Sequence, residues 1–241
     1  MSSKLFLSLV CTISAICSLT VGCDAQRPNN DPLASLRETT KDGKLPAESV
    51  VADIERRFAG QQTGVLAKLL RARIRFENKD FAGAAALLDS PDFAQKTKLA
   101  DYALWLRGRA LQESGDHAQA KIAFAKQIAE HPDSLRGNEA RLLWAESAIQ
   151  SGEASKVAVF LADLIEKHNA KALLTTAKAY QSLDDQTNAT TFYRRTYFYG
   201  AGSDEAKEAE AKLVSLGQSL QPNSEVELLA RADQFVKQKD Y

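Results

Sequence analysis

Residues that most often carry enzyme chemistry are scarce in this chain. Its 241 residues include three cysteines, three histidines and one methionine. All the cysteines fall within the first 23 residues, so the rest of the chain can form no internal disulfide and holds no thiolate nucleophile or zinc-binding cysteine. Paired-histidine metal spacings, a G-x-S-x-G elbow and a phosphate-binding P-loop are also missing. We therefore predict no catalytic residue, no metal site and no cofactor, and expect the chain not to be an enzyme.

The chain also lacks an excess of either charge. Its 31 basic side chains balance 31 acidic ones, which argues against a nucleic-acid-binding protein because such a protein needs a basic face. Glycine (12) and proline (6) are few, which excludes collagen-like and low-complexity classes, and an apolar fraction of 44% is sufficient for a core. Abundant alanine, leucine, lysine and glutamate then favour a helical protein.

The first 22 residues have the pattern of a secretion signal. Lys4 precedes an apolar run over residues 5–21, and small residues follow the run. Serines and threonines interrupt this run, and it is shorter than the roughly 20 apolar residues that a transmembrane helix needs. We therefore predict a signal peptide over residues 1–22 and an exported protein.

The end of this segment resembles a bacterial lipobox. In Leu19-Thr20-Val21-Gly22-Cys23 a small residue precedes the cysteine, and the resemblance implies that Cys23 is lipidated and becomes the new N-terminus. The family prefers leucine three residues before the cysteine, whereas Leu19 lies four before it; ordinary cleavage after Ala25 is the alternative. Asp24 would imply retention at the inner membrane, as in enteric lipoproteins. The expected location is periplasmic, either anchored to the membrane by this lipid alone or soluble.

A repeat follows a polar stretch. Residues 23–45 contain Pro28, Pro32 and Gly43 without sustained periodicity, which predicts a flexible tether. From residue 46 to 217 the pattern is helical, and tight turns recur with an acid after each. These acids are Asp80, Asp116, Glu153, Asp185 and Asp240, at intervals of 36, 37, 32 and 55 residues. Each is expected to cap the second helix of a hairpin, because its carboxylate can accept bonds from free backbone N–H groups.

Positions at fixed distances from these acids agree between the copies. Eight residues before each acid stands a small residue, where two helices of a hairpin would cross closely: Ala72, Gly108, Ala145, Ala177 and Ala232. Eight residues after four of the acids stands a bulky one that would fill the space between hairpins: Leu88, Phe124, Leu161 and Tyr193. Residues 104–132 closely resemble the tetratricopeptide repeat (TPR), whose period is about 34 residues. The resemblance implies an all-α fold, a right-handed α-solenoid of TPR-like antiparallel helix pairs.

The last quarter of the chain departs from the regular period. Residues 204–216 are predicted to form a short amphipathic helix against which an aromatic cluster at 192–199 packs. Residues 218–241 are predicted to be a linker and the start of a further, incomplete helix pair. Since a solenoid needs a capped end, we expect either that the chain is the N-terminal portion of a longer protein or that a partner covers this helix.

A second resemblance concerns the whole arrangement. Helical hairpins after a secretion signal, with YRRTYFYGAGSDEAKEAEAKL at 193–213, look like the N-terminal superhelix of bacterial soluble lytic transglycosylases. In those enzymes the superhelix lies beside a separate lysozyme-like domain that carries a Glu-Ser dipeptide and a downstream Gly-x-Met-Gln segment. No such segment can occur here because Met1 is the only methionine. The resemblance therefore implies a non-catalytic part.

The function expected of a helical solenoid is binding along a concave surface formed by the first helix of each pair. Tyrosine, tryptophan and arginine are enriched at binding hot spots. The predicted groove residues are Arg73, Phe76, Tyr102, Trp105, Arg109, Glu146 and Lys178, with Leu69, Leu142 and Leu174 on the same face. We expect a lipid-anchored scaffold that binds a protein or peptide, or the peptidoglycan machinery, in this groove. The alternatives are the non-catalytic part of a lytic transglycosylase and a TPR lipoprotein of outer-membrane assembly.

Overall fold

The computed structural model describes residues 44–239. The chain divides into two compact units, residues 1–47 and residues 48–241. Of the first unit, the described residues 44–47 form no regular secondary structure. The predicted signal peptide, the lipidation site Cys23 and nearly all of the predicted tether lie outside the described residues, so these expectations stay predictions.

The described part of the second unit is an array of helices and contains no strand. Thirteen α-helices and one short 3-10 helix at Ala154–Lys156 follow one another. The α-helices are α1 Glu48–Arg57, α2 Gln62–Glu77, α3 Phe81–Leu88, α4 Asp92–Lys96, α5 Ala100–Glu113, α6 His117–Glu130, α7 Gly137–Gln150, α8 Val157–Phe160, α9 Ala162–Glu166, α10 Ala170–Ser182, α11 Gln186–Tyr199, α12 Asp204–Ser215 and α13 Glu225–Lys239.

Successive helices pack as pairs, and the pairs stack. Helix α2 pairs with α3, α5 with α6, and α10 with α11, while α7 pairs with the 3-10 turn and α8. The stack is continuous because α3 also contacts α5, α6 contacts α7, and α7 contacts α10. The first helices of neighbouring pairs, α2, α5, α7 and α10, touch in turn and form one layer. The predicted all-α, TPR-like solenoid is confirmed.

The repeat positions read from the sequence form the core of the pairs. The small residues Ala72, Ala145 and Ala177 are fully buried. At Gly108 a side chain has no room, because a Cβ atom there would lie 2.5 Å from the Phe124 ring. The four bulky residues predicted to fill the space between pairs are all at most 3% exposed: Leu88, Phe124, Leu161 and Tyr193. The fifth small residue, Ala232, is exposed on α13, so the register does not extend to that helix.

Three of the predicted caps form. The carboxylates of Asp80, Asp116 and Asp185 accept bonds of 3.0, 3.1 and 3.0 Å from the backbone N–H three residues further on, at the starts of α3, α6 and α11. The cap predicted at Glu153 is wrong, because that carboxylate contacts Lys121 and Lys156 instead. Asp240 lies outside the described residues.

The helix after Glu153 is broken, which the sequence pattern did not predict. Instead of one helix, the chain forms the 3-10 turn, α8 and α9, with Leu161 between the last two at φ −94° and ψ 9°. The ring of Phe160 stacks on Trp144 with centroids 3.8 Å apart, and the neighbouring Leu161 is fully buried. Adjacent residues of a regular helix point about 100° apart, so the bend lets both side chains face the core.

The end of the described chain follows the prediction in part. Helix α12 forms and buries Ala209 and Leu213 against Tyr193, Tyr197 and Phe198 of α11, which confirms the predicted aromatic packing. Gly217 has φ 67° and follows the end of this helix. Helix α13 packs on α11, and its apolar residues Val226, Leu228, Leu229, Phe235 and Val236 are exposed.

Candidate functional site

Five of the seven predicted groove residues converge on α2 and α5. Tyr102, Trp105 and Arg109 lie on α5 at spacings of three and four residues, which place them on one face of the helix. Arg73 and Phe76 occupy the adjoining face of α2. The sequence prediction missed one member, Arg136, which precedes α7. We call these six residues, namely Arg73, Phe76, Tyr102, Trp105, Arg109 and Arg136, the arginine–aromatic patch.

Two aromatic rings form the centre of the patch. The rings of Tyr102 and Trp105 stack with centroids 5.7 Å apart and planes inclined by 25°. The Arg136 guanidinium lies 4.9 Å from the Tyr102 centroid and 5.1 Å from that of Trp105. A cation within about 6 Å of a ring face is attracted by the ring quadrupole, so the rings hold this guanidinium in place. All three side chains are half-buried.

A second arginine joins the two helices on the other side of the patch. The Arg109 guanidinium lies 5.5 Å from the Trp105 centroid and 5.6 Å from that of Phe76. Its nearest carboxylate is that of Glu113, one turn along the same helix, at 3.6 Å. This separation exceeds that of a normal hydrogen bond, so the pair is a loose electrostatic contact.

The third arginine is fixed by a tyrosine. Arg73 Nη1 donates a 3.1 Å bond to the Tyr102 hydroxyl, and Nη2 lies 2.5 Å from the Glu77 carboxylate. Burial works against the charged form of Arg73, but the Tyr102 bond and the Glu77 charge outweigh it and raise the pKa of the guanidinium. Arg73 is therefore charged at any physiological pH, with Glu77 as its acidic partner.

The two other predicted groove residues, Glu146 and Lys178, lie further along the same layer. Both line a cavity of about 400 Å³ between α5, α7 and α10, which Gln112, His117 and Thr175 also border. Gln112 Nε2 lies 3.5 Å from a Glu146 carboxylate oxygen, the upper limit for a hydrogen bond. Because Gln112 follows Arg109 by three residues on α5, the arginine–aromatic patch and this cavity adjoin on one helix face.

Salt bridges give this second region a mixed charge. The other carboxylate oxygen of Glu146 lies 3.2 Å from Lys171, and Lys178 lies 2.8 Å from Glu208 of α12. Lys178 and Glu208 also border a further cavity of about 570 Å³ between α10, α11 and α12. Tyr193 lies at its edge, and burial, with the nearby Glu208 charge, raises the pKa of its hydroxyl.

Three leucines expected on the inner face belong to the core instead. Leu69, Leu142 and Leu174 are at most 8% exposed. Each belongs to a cluster of buried apolar side chains, and burial in that cluster stabilises the fold. The polar and aromatic residues of the same predicted face remain half-buried or exposed.

Other kinds of site are not found in the described part of the chain. Residues 44–239 contain no group of three or more histidine, cysteine, aspartate or glutamate side chains placed to hold a metal ion. Within the same residues, none of the helices combines the length and the hydrophobicity that a membrane span requires.

Comparison with known proteins identifies one repeat. Residues 102–134 match the tetratricopeptide repeat family. This match begins at Tyr102, covers nearly all of α5 and the whole of α6, and includes Trp105 and Arg109. A search of the curated proteins finds no match. Tetratricopeptide repeats are generally non-catalytic scaffolds that bind protein partners, so the central residues of the patch lie within a segment of a known interaction module.

Proposed function

We propose that this protein is an exported scaffold that binds a segment of a partner protein on the face formed by α2, α5, α7 and α10. One observation carries the proposal: Tyr102, Trp105, Arg109 and Arg136 form a single half-exposed cluster within and beside the matched repeat. These residue types dominate the energy of protein interfaces, and clusters of them in partly desolvated pockets bind most strongly. The two cavities beyond the patch extend the same face.

The rigidity of the patch supports a binding role. Its side chains are held by one another, since Arg73 bonds to Tyr102, and Arg136 and Arg109 lie against the rings. A side chain that is already ordered loses little conformational entropy when a ligand arrives, and such loss commonly costs about 0.5–1.5 kcal/mol per side chain. The patch is therefore prepared for contact in the unbound protein.

The proposed location rests on the sequence of residues 1–23. The lipobox-like segment supports lipidation of Cys23 and attachment to the bacterial envelope. Changing Cys23 to alanine should move the protein from the membrane fraction to the soluble periplasmic fraction. If the variant stays in the membrane fraction, the proposed lipid anchor is wrong. The narrower functions, part of a lytic transglycosylase or an outer-membrane-assembly lipoprotein, stay predictions.

Selection from a random peptide library displayed on phage tests the binding function. Wild-type protein should enrich a family of peptides, and the Trp105→Ala and Arg109→Gln variants should lose most of their binding to those peptides. Ile122→Ala is the matched control, because Ile122 is 55% exposed on α6, the second helix of the same pair. Circular dichroism establishes that each variant is folded. Equal binding by all of these folded proteins would contradict the proposed site.

A further inference from the structure

The guanidinium of Arg136 has no acidic partner. In the described part of the chain, no carboxylate lies within salt-bridge distance of it and it donates no hydrogen bond; it lies against the Tyr102 and Trp105 rings. A ring face satisfies none of the five N–H donors of a guanidinium, which form a planar fork suited to a carboxylate. Arg136 is therefore a cation held against two rings, and its side-chain N–H groups have no acceptor within the described part of the chain.

The acidic groups around the patch are already engaged. Glu77 pairs with Arg73, Glu113 lies near Arg109, and Asp101 accepts a 2.8 Å bond from the Ser134 hydroxyl. Of these contacts, the one between Arg109 and Glu113 is the loosest, at 3.6 Å. Both partners are on one helix and partly exposed, and such pairs contribute little to stability. A ligand carboxylate can therefore replace Glu113 at Arg109 at little cost.

The other chemical classes of ligand fit this surface less well. A sugar ring would have to displace Tyr102, Arg109 or Arg136 to stack on Trp105, because all three already lie against that ring. The indole N–H of Trp105 is buried without an acceptor and so cannot bond to a sugar hydroxyl at the surface. A nucleic acid needs an extended basic track, whereas the chain as a whole has no net charge.

We infer that the proposed binding face selects acidic segments of a partner protein. Side-chain carboxylates of the segment would bind Arg136 and Arg109, which are both half-buried at the surface of the patch. This inference rests on the proposed function and adds the chemistry of the partner to it. Further along the face, Glu146, Lys171 and Lys178 carry charges of both signs, so that region does not favour an acidic segment.

Matched peptide libraries test the charge preference. Three libraries share the same randomised positions and differ only at fixed positions, which carry glutamate, serine or lysine. We expect the wild-type protein to bind glutamate peptides about tenfold more tightly than the serine peptides, a difference of about 1.4 kcal/mol, and to bind lysine peptides least. Raising the salt concentration should weaken the glutamate binding, since exposed charges are screened.

Two substitutions assign that preference to the patch. Arg136→Gln and, separately, Arg109→Gln should each bring the glutamate and serine libraries within about threefold of each other, while Arg57→Gln should leave the tenfold difference unchanged. Arg57 is the control because it is exposed on α1 and removal of its charge changes the net charge equally. Circular dichroism checks that each variant keeps its helical content.

Each remaining outcome is decisive. Peptides that bind equally well with glutamate, serine and lysine would overturn the acidic preference and leave the proposed function intact. Binding by none of the libraries would overturn both. An equal loss of preference in the Arg57→Gln variant would show that net charge alone is responsible, and binding of a single-stranded oligonucleotide at the patch in place of peptides would assign the surface to another class of ligand.

Discussion

The guanidinium of Arg136 lies 4.9 Å from the centre of the Tyr102 ring, and so joins the start of α7 to the start of α5. The two residues stand 34 positions apart, which is about one repeat period. The contact therefore joins neighbouring helix pairs on the inner layer. An interaction of this kind can recognise a ligand and also connect one helix pair to the next.

Replacing Arg136 by glutamine should affect binding much more than folding. An exposed cation–π contact contributes about 0.5–1 kcal/mol, so the free energy of unfolding should fall by no more than that amount. Chemical denaturation measures this change, and Arg57→Gln provides the baseline for loss of one exposed arginine. A loss of several kcal/mol would mean that Arg136 is a structural residue of the solenoid.

Gly108→Ala should destabilise the best-defined helix pair. The new Cβ atom would lie 2.5 Å from the Phe124 ring, which is fully buried and cannot retreat. Overpacking of this kind costs about 1–3 kcal/mol, measurable as a lower denaturation midpoint. Gly137→Ala is the matched control, since a Cβ atom there meets nothing within 4 Å at the first residue of α7. If the two variants are equally stable, close crossing at Gly108 is not what holds the pair together.

Of the four acids predicted to cap helices within the described residues, Asp80, Asp116 and Asp185 should stabilise their helices as caps, and Glu153 should not. Asp116→Ala removes the acceptor for the Gln119 N–H and should cost about 0.5–2 kcal/mol, while Asp116→Asn should be close to neutral because asparagine caps equally well. Thermal unfolding of the two variants gives the comparison. An asparagine variant as unstable as the alanine variant would show that charge, and not the cap bond, matters at this position.

The contacts of Glu153 with Lys121 and Lys156 should make the stability of the fold depend on pH. Hydrogen bonds from Lys121 and Lys156 lower the pKa of this carboxyl to about 2 from its ordinary 4.5. Because the folded-state pKa is depressed, the stabilisation is fully present above the unfolded-state pKa and is lost as the pH falls from about 4.5 to about 2. The stability difference between wild type and Glu153→Gln should therefore shrink over that range.

Urea denaturation at neutral and acidic pH checks this prediction. Glu210→Gln, at an exposed glutamate in the middle of α12, should show no comparable dependence. A difference between wild type and Glu153→Gln that persists unchanged at low pH would assign the effect of the substitution to packing instead.

Arg194→Ala should loosen α13 from α11. Arg194 donates bonds of 2.8 and 2.7 Å to the two Glu227 carboxylate oxygens and another of 2.9 Å to the Ser219 carbonyl. Amide hydrogen exchange in α13 should accelerate, whereas α7 should keep its protection. Lys237→Ala, which alters an exposed residue of the same helix, is the control. Unchanged exchange in α13 would show that contacts other than Arg194 hold it.

The helix pairs and their core could be predicted because the signals are local and repeated. A small residue and a bulky residue recur at fixed distances from an acid, and Gly108 with Phe124 shows the steric reason. The break at Leu161 could not be predicted, since it depends on Phe160 meeting Trp144 across the pair. The Glu153 cap failed for a similar reason: Lys121, on the preceding helix pair, competes for its carboxylate.

Most of the candidate site could be predicted, because residue spacing shows which side chains share one face of a helix. Spacing along α5 places Tyr102, Trp105 and Arg109 together, and the contact with Phe76 follows from stacking of the first helices. Arg136 was missed because it lies before the first turn of α7, where helical periodicity gives no information.

The two tryptophans allow the most direct test of the binding face. Trp105 is half-buried in the patch, whereas Trp144 is 7% exposed and packed in the core. In the protein labelled with fluorotryptophan, addition of a selected peptide should shift the fluorine resonance of Trp105 and leave that of Trp144 in place. A peptide that binds tightly and leaves Trp105 unshifted would contradict the account.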